Sequence, residues 1–69
     1  MIELAILKNF DSETYKAGVQ LAQSLTAYFD DVNVARNIDS GEMITGRSVI
    51  LAIPWGNPKD AVVVAVFTP

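Results

Sequence analysis

Hydrophobic residues in this chain recur largely at every second position, in five runs separated by polar or turn-forming clusters. Such alternation is what a pleated strand produces when one face is buried, because successive side chains leave opposite faces. The first run, residues 2–9 (IELAILKN), alternates Ile2, Leu4 and Ile6 with Glu3, Ala5 and Leu7. The cluster Asp11-Ser12-Glu13 predicts a turn after it. Residues 14–22 (TYKAGVQLA) place Tyr15, Ala17, Val19 and Leu21 on one side and Lys16, Gly18, Gln20 and Ala22 on the other. A third strand is predicted over 32–38 (VNVARNI), with Val32, Val34, Arg36 and Ile38 sharing a face and the head of Arg36 in water. The fourth and fifth run over 48–55 (SVILAIPW) and 61–67 (AVVVAVF), parted by Gly56, Asn57 and Pro58.

A helix competes with this reading between Ser12 and Phe29. At about 100° per residue, Ala17, Leu21, Leu25 and Tyr28 would line one face. Val19 would then lie opposite them, and Gly18 would cost about 1 kcal/mol in the helix interior. The strand accounts for more residues over 14–22, whereas 23–29 stays open between a short helix and extended chain. Asp30 and Asp31 read as a turn that starts the third strand. Five short strands joined by turns predict an all-β fold: a small five-stranded barrel, OB- or SH3-like, forming one domain over 1–69. A meander sheet is the alternative.

The last two runs break the alternation, since VILAI and AVVVAVF are apolar on both faces. In the fifth, Ala61, Val63, Ala65 and Phe67 form one side and Val62, Val64 and Val66 the other. One side can line a barrel interior. The other needs a cover, because burial of each valine is worth about 1.5–3 kcal/mol. A neighbouring subunit supplies one, and a helix over 23–29 is the competing cover. Trp55, at a strand end between Pro54 and Gly56, suits a contact anchor. Trp55, Val62, Val64 and Val66 are therefore the expected interface residues.

Size strengthens that expectation. A 69-residue domain is of marginal stability alone, and small proteins usually add disulfides, a metal or oligomerisation. The chain has neither cysteine nor histidine, which removes disulfides and zinc sites of the usual kind. The formal charge of −3 disfavours a phosphate backbone, and the cations Lys8, Lys16, Arg36, Arg47 and Lys59 are scattered. No apolar run is long enough to span a membrane, and the start MIELAILKNFD lacks the features of a signal peptide. The product is expected to be cytoplasmic on synthesis, with later assembly into a virion left open, and no cofactor is expected.

One stretch has the spacing of a nucleotide-binding loop. GEMITGRS, residues 41–48, approximates G-x-x-x-x-G-K-[ST], in which free backbone amides and a following helix cradle phosphates. Here Arg47 stands in the lysine position and a β-branched run with Pro54 comes after it, so a turn at Gly46 leading into a strand is the expectation. Nucleophilic catalysis has no histidine base to draw on, and Ser12, Ser24, Ser40 and Ser48 fall at turns and strand starts. The run Asp39-Ser40-Gly41-Glu42 lacks the spacing of a calcium loop. Pairing Trp55 with Lys59, or Tyr28 with Arg36, is the nearest approach to a single-strand stacking platform.

The phrases YKAGVQLAQSL, DVNVARNI, EMITGRSVILAIP and GNPKDAVVVAVF together resemble small β-barrel proteins encoded among phage and prophage virion or tail genes. Gln23 departs from that pattern, which has Gly before Ser24. The resemblance implies a barrel that assembles with its own copies or with other virion proteins, and it carries over no catalytic residue. The expected function is thus that of a non-enzymatic, self-associating structural protein. An OB- or SH3-like nucleic-acid-binding module is the alternative.

Overall fold

A computed structural model describes residues 2–22 and 27–68. Its five strands are β1 (Ile2–Asp11), β2 (Lys16–Leu21), β3 (Tyr28–Val34), β4 (Ser48–Ala52) and β5 (Val62–Phe67). They close a barrel in the order β1-β2-β3-β5-β4. β5 thus lies between β3 and β4, so the sheet is not a meander. β3 and β5 run parallel, and every other neighbouring pair is antiparallel.

The inward residues come from the alternation. Ala5 and Leu7 of β1, Ala17 and Val19 of β2, Val49 and Leu51 of β4, and Val63 of β5 are almost completely removed from water. Val32 and Val34 of β3 complete the ring. Small and branched side chains are what a narrow barrel admits. Closure gives every strand a neighbour on both sides, although β3 and β5 pair only at Asn33–Val62 and Val34–Val63.

Three β-bulges interrupt the alternation, and each exchanges the faces of the residues beyond it. On β1, Leu7 pairs with Val19 and Asn9 with Gly18, so Lys8 is the extra residue and Phe10 turns toward the core. On β3, Val19 pairs with Phe29 but Ala17 with Val32. The intervening Asp30 and Asp31 form the bulge, with Asp31 in the left-handed region and its amide donating to Asp30 Oδ1 at 3.0 Å. They lie inside a strand rather than in a turn before one. On β5, Leu51 pairs with Val63 and Ile50 with Ala65, which leaves Val64 as the bulge. Val66 accordingly faces Val49 and packs on the core, not beside Val62 on the outer side.

Other boundaries shift as well. β3 begins at Tyr28 and ends at Val34, so Tyr28 and Phe29 are strand rather than helix; residues 23–26 of the suggested helix, Gln23 among them, lie outside the described residues. Arg36 falls in a turn beyond β3, where its guanidinium carbon lies 5.1 Å from the Tyr15 ring centre. β4 stops at Ala52, and a 3-10 turn, Pro54–Gly56, replaces its predicted end. The β3–β4 connection carries the 3-10 turn Ser40–Glu42, and its Ile38 and Met43 are buried. Tyr15 holds this connection down by donating its hydroxyl hydrogen to the Ile38 carbonyl, and it meets Phe10 edge-on at 5.1 Å.

Candidate functional site

Strand pairing fixes which outward residues are neighbours. Ile2, Leu4 and Ile6 of β1 stand opposite Ala52, Ile50 and Ser48 of β4. On the far side of β4, those three stand opposite Val62, Ala65 and Phe67 of β5. The result is a three-by-three grid on the side of the sheet away from the barrel interior, with Ile50 at its centre and Ser48, its only polar member, buried. Ile2 is 65% exposed, and Leu4, Phe67 and the adjoining bulge residue Val64 about two-fifths exposed. Isolated apolar residues on a surface are ordinary, whereas these lie side by side on three paired strands and form one continuous apolar face.

Trp55 stands in the turn after β4, 99% exposed and with φ of 57°. A left-handed backbone at a bulky residue is strained by about 1–3 kcal/mol. Tyr15 and Asp31 share that conformation, but Tyr15 and the Asp31 amide make hydrogen bonds within the fold. The indole is left in solvent.

The four residues expected at the interface are therefore not one row. Val62 belongs to the grid, Val64 is exposed at the bulge, Trp55 lies past the end of β4, and Val66 turns inward. Ile2, Leu4, Ile6, Ile50, Ala65 and Phe67 join the face without being predicted there. A signal for β1 does exist: IELAIL is apolar at Ile2, Leu4 and Ile6 and again at Ala5 and Leu7, the same two-faced pattern as β5.

The opposite wall is polar and self-contained. Asn9 Nδ2 donates to Tyr28 Oη at 2.9 Å, and the Gly18 amide donates to Asn9 Oδ1 at 3.1 Å. Both side chains lie over Gly18, where a Cβ would meet Asn9 Nδ2 at 2.6 Å and clash with the Tyr28 hydroxyl. Beside them Lys16 Nζ donates to Asn33 Oδ1 at 3.1 Å.

The loop with nucleotide-like spacing has little left to offer a phosphate. The amides of Gly41, Glu42, Met43, Ile44, Gly46 and Arg47 all donate to protein oxygens, at 2.8–3.2 Å. Arg47 binds Glu42 twice, its Nη1 lying 2.9 Å from Oε1 and 3.2 Å from the carbonyl oxygen. A carboxylate therefore occupies the cation of the motif. Gly46 makes the turn, with φ of 97°, and Ser48 opens β4 instead of a helix. Asp39 is likewise occupied as the cap of the 3-10 turn.

Among the described residues no cavity opens, no group of three or more acidic side chains converges to hold a metal, and no helix is long and apolar enough to cross a membrane. Arg36 approaches Tyr15 rather than Tyr28, so the latter pair makes no stacking platform. Compared with family models, with curated proteins and with solved structures, the chain matches none.

Proposed function

We propose that this chain is a non-enzymatic structural or interaction protein, a small β-barrel that associates with copies of itself. One observation carries the reading: three adjoining strands turn hydrocarbon outward at eight of nine paired positions. Water contact along that face forgoes about 25 cal/mol for each Å² of apolar surface. A domain of 69 residues gains much by covering it. The exposed, strained Trp55 at the end of β4 supports the same view, since Trp is enriched at contact hot spots. A phage virion or tail is the setting that the sequence resemblance suggests, and it agrees with a role in assembly.

Val64→Lys tests the association. Wild type should elute as an oligomer by size-exclusion chromatography with light scattering, and the variant should move toward the monomer mass. An oligomer of unaltered mass in Val64→Lys counts against the C-terminal ribbon as the contact.

A second reading, a nucleic-acid-binding barrel, draws on Tyr28 and Lys16, which face outward on β3 and β2, the wall that OB-type barrels use. Both are tied to asparagines, and the net charge is −3. Single-strand DNA titrated at several salt concentrations separates the two readings. Affinity falling steeply with salt would favour nucleic acid, and no detectable binding would remove it.

A further inference from the structure

The grid permits a more specific statement, which rests on the self-association just proposed. We infer that the face of β1, β4 and β5 is the contact of a two-fold dimer, with Ile50 on or beside the symmetry axis and facing its own counterpart.

Charge is the first argument. The chain carries eight acidic and five basic side chains, and none occupies the grid. Glu3 and Lys8 are the charges of β1 nearest to it. Glu3 pairs with Leu51, which belongs to the inward set, and Lys8 sits at the bulge beyond Ile6. Two copies of net charge −3 repel at long range, and this face lets them meet without desolvating an ion. An anionic partner, such as nucleic acid or acidic lipid, finds no cation here to bind.

Area is the second. Ile2, Leu4, Val64 and Phe67, with the partly exposed Ile6, Ile50, Ala52 and Val62, present on the order of 500 Å² of apolar surface, at the upper end for a monomer. Two such faces would bury about 1,000 Å², the lower bound of a specific interface. That size fits a dimer that dissociates on dilution.

Symmetry is the third. A head-to-tail contact needs two different complementary surfaces, whereas a two-fold contact uses one surface twice. The opposite wall is tied into the Asn9–Tyr28–Gly18 and Lys16–Asn33 hydrogen bonds and, among the described residues, offers no second apolar surface. Barrel closure narrows the remaining route, addition of a strand to a free edge, to the stretches beyond the two β3–β5 pairs. In a two-fold contact the middle residue of the face meets itself, and Ile50 is central both across the strands and along them.

Sedimentation velocity over a wide concentration range, together with cross-linking, tests this. Wild type should pass from monomer to dimer with rising concentration. Ile50→Lys should weaken that equilibrium at least tenfold while keeping the β-sheet circular dichroism spectrum, and Leu4→Ser provides a milder variant should the lysine prevent folding. The chain has no native cysteine, so Ile50→Cys gives one defined thiol. A short bis-maleimide should join Ile50→Cys copies into pairs and leave Lys16→Cys single, since Lys16 pairs with Asp11 and Asn33 and with no member of the grid. A dimer unaffected by both Ile50→Lys and Leu4→Ser would overturn this face while sparing self-association. A wild type that stays monomeric at every concentration would overturn both readings. Trimers or larger rings, or dimers in which Ile50→Cys does not cross-link, would overturn the two-fold arrangement alone. A monomer that binds zwitterionic vesicles through Ile50 would replace the second copy with a lipid surface.

Discussion

On the wall formed by β2, β3 and the far end of β1, the outward side chains satisfy one another. Asn9 bridges Tyr28 and the Gly18 amide, and Lys16 reaches Asn33. On the wall formed by β4, β5 and the near end of β1, the outward side chains are Ile, Leu, Ala, Val and Phe, with Ser48 at one corner. The inner surfaces of both walls are alike, lined by Val, Leu and Ala. Inward packing alone therefore does not explain the outward chemistry. The polar wall is finished within one chain, whereas the apolar wall leaves Ile2, Leu4, Val64 and Phe67 in contact with water.

Gly18→Val should expose the difference most clearly. Its Cβ would displace Asn9 and Tyr28, so about 3 kcal/mol of stability should be lost in urea denaturation. Ala52→Val, an enlargement on the apolar wall, should change the monomer by no more than about 0.5 kcal/mol. Equal losses at the two positions would dissolve the distinction. Asn9→Ala comes next: it strips a partner from both Gly18 and Tyr28 and should cost about 1–2 kcal/mol. The smallest effect is expected away from both walls. Glu42→Gln breaks an exposed ion pair and should cost about 0.2–1 kcal/mol, with the difference shrinking as salt is added. A larger, salt-independent loss would mean that the β3–β4 connection does more than cover the barrel end.

Much of this fold is legible in the order of residues. The number of strands, the faces of β2 and the two-sided apolar character of β5 all come from alternation and turn residues. Alternation is a local rule, however, and each bulge resets it where a partner strand demands. The sequence around Lys8, Asp30 and Val64 contains no glycine to announce the reset. Alternation alone therefore puts Val66 on the wrong side of β5 and starts β3 four residues late. The contribution of β1 to the candidate face is hidden for another reason. Ile2, Leu4 and Ile6 join Ile50 and Ala65 only through the pairings of β1 with β4 and of β4 with β5, which link residues far apart along the chain. The GEMITGRS stretch is the converse case. Its spacing matches a phosphate loop, yet the geometry spends its amides on Asp39, Ser40, Glu42, Ile44 and Leu7.

The position of β5 between β3 and β4 has a consequence during synthesis. The ribosome delivers this strand after the other four, and until it arrives both of its neighbours keep an open side. Nascent chains must then hold two unzipped seams apart from other polypeptides for as long as residues 62–67 remain in the exit tunnel. The run VVVAVF is itself prone to form intermolecular sheets, so prompt insertion into the gap protects the newborn protein twice over.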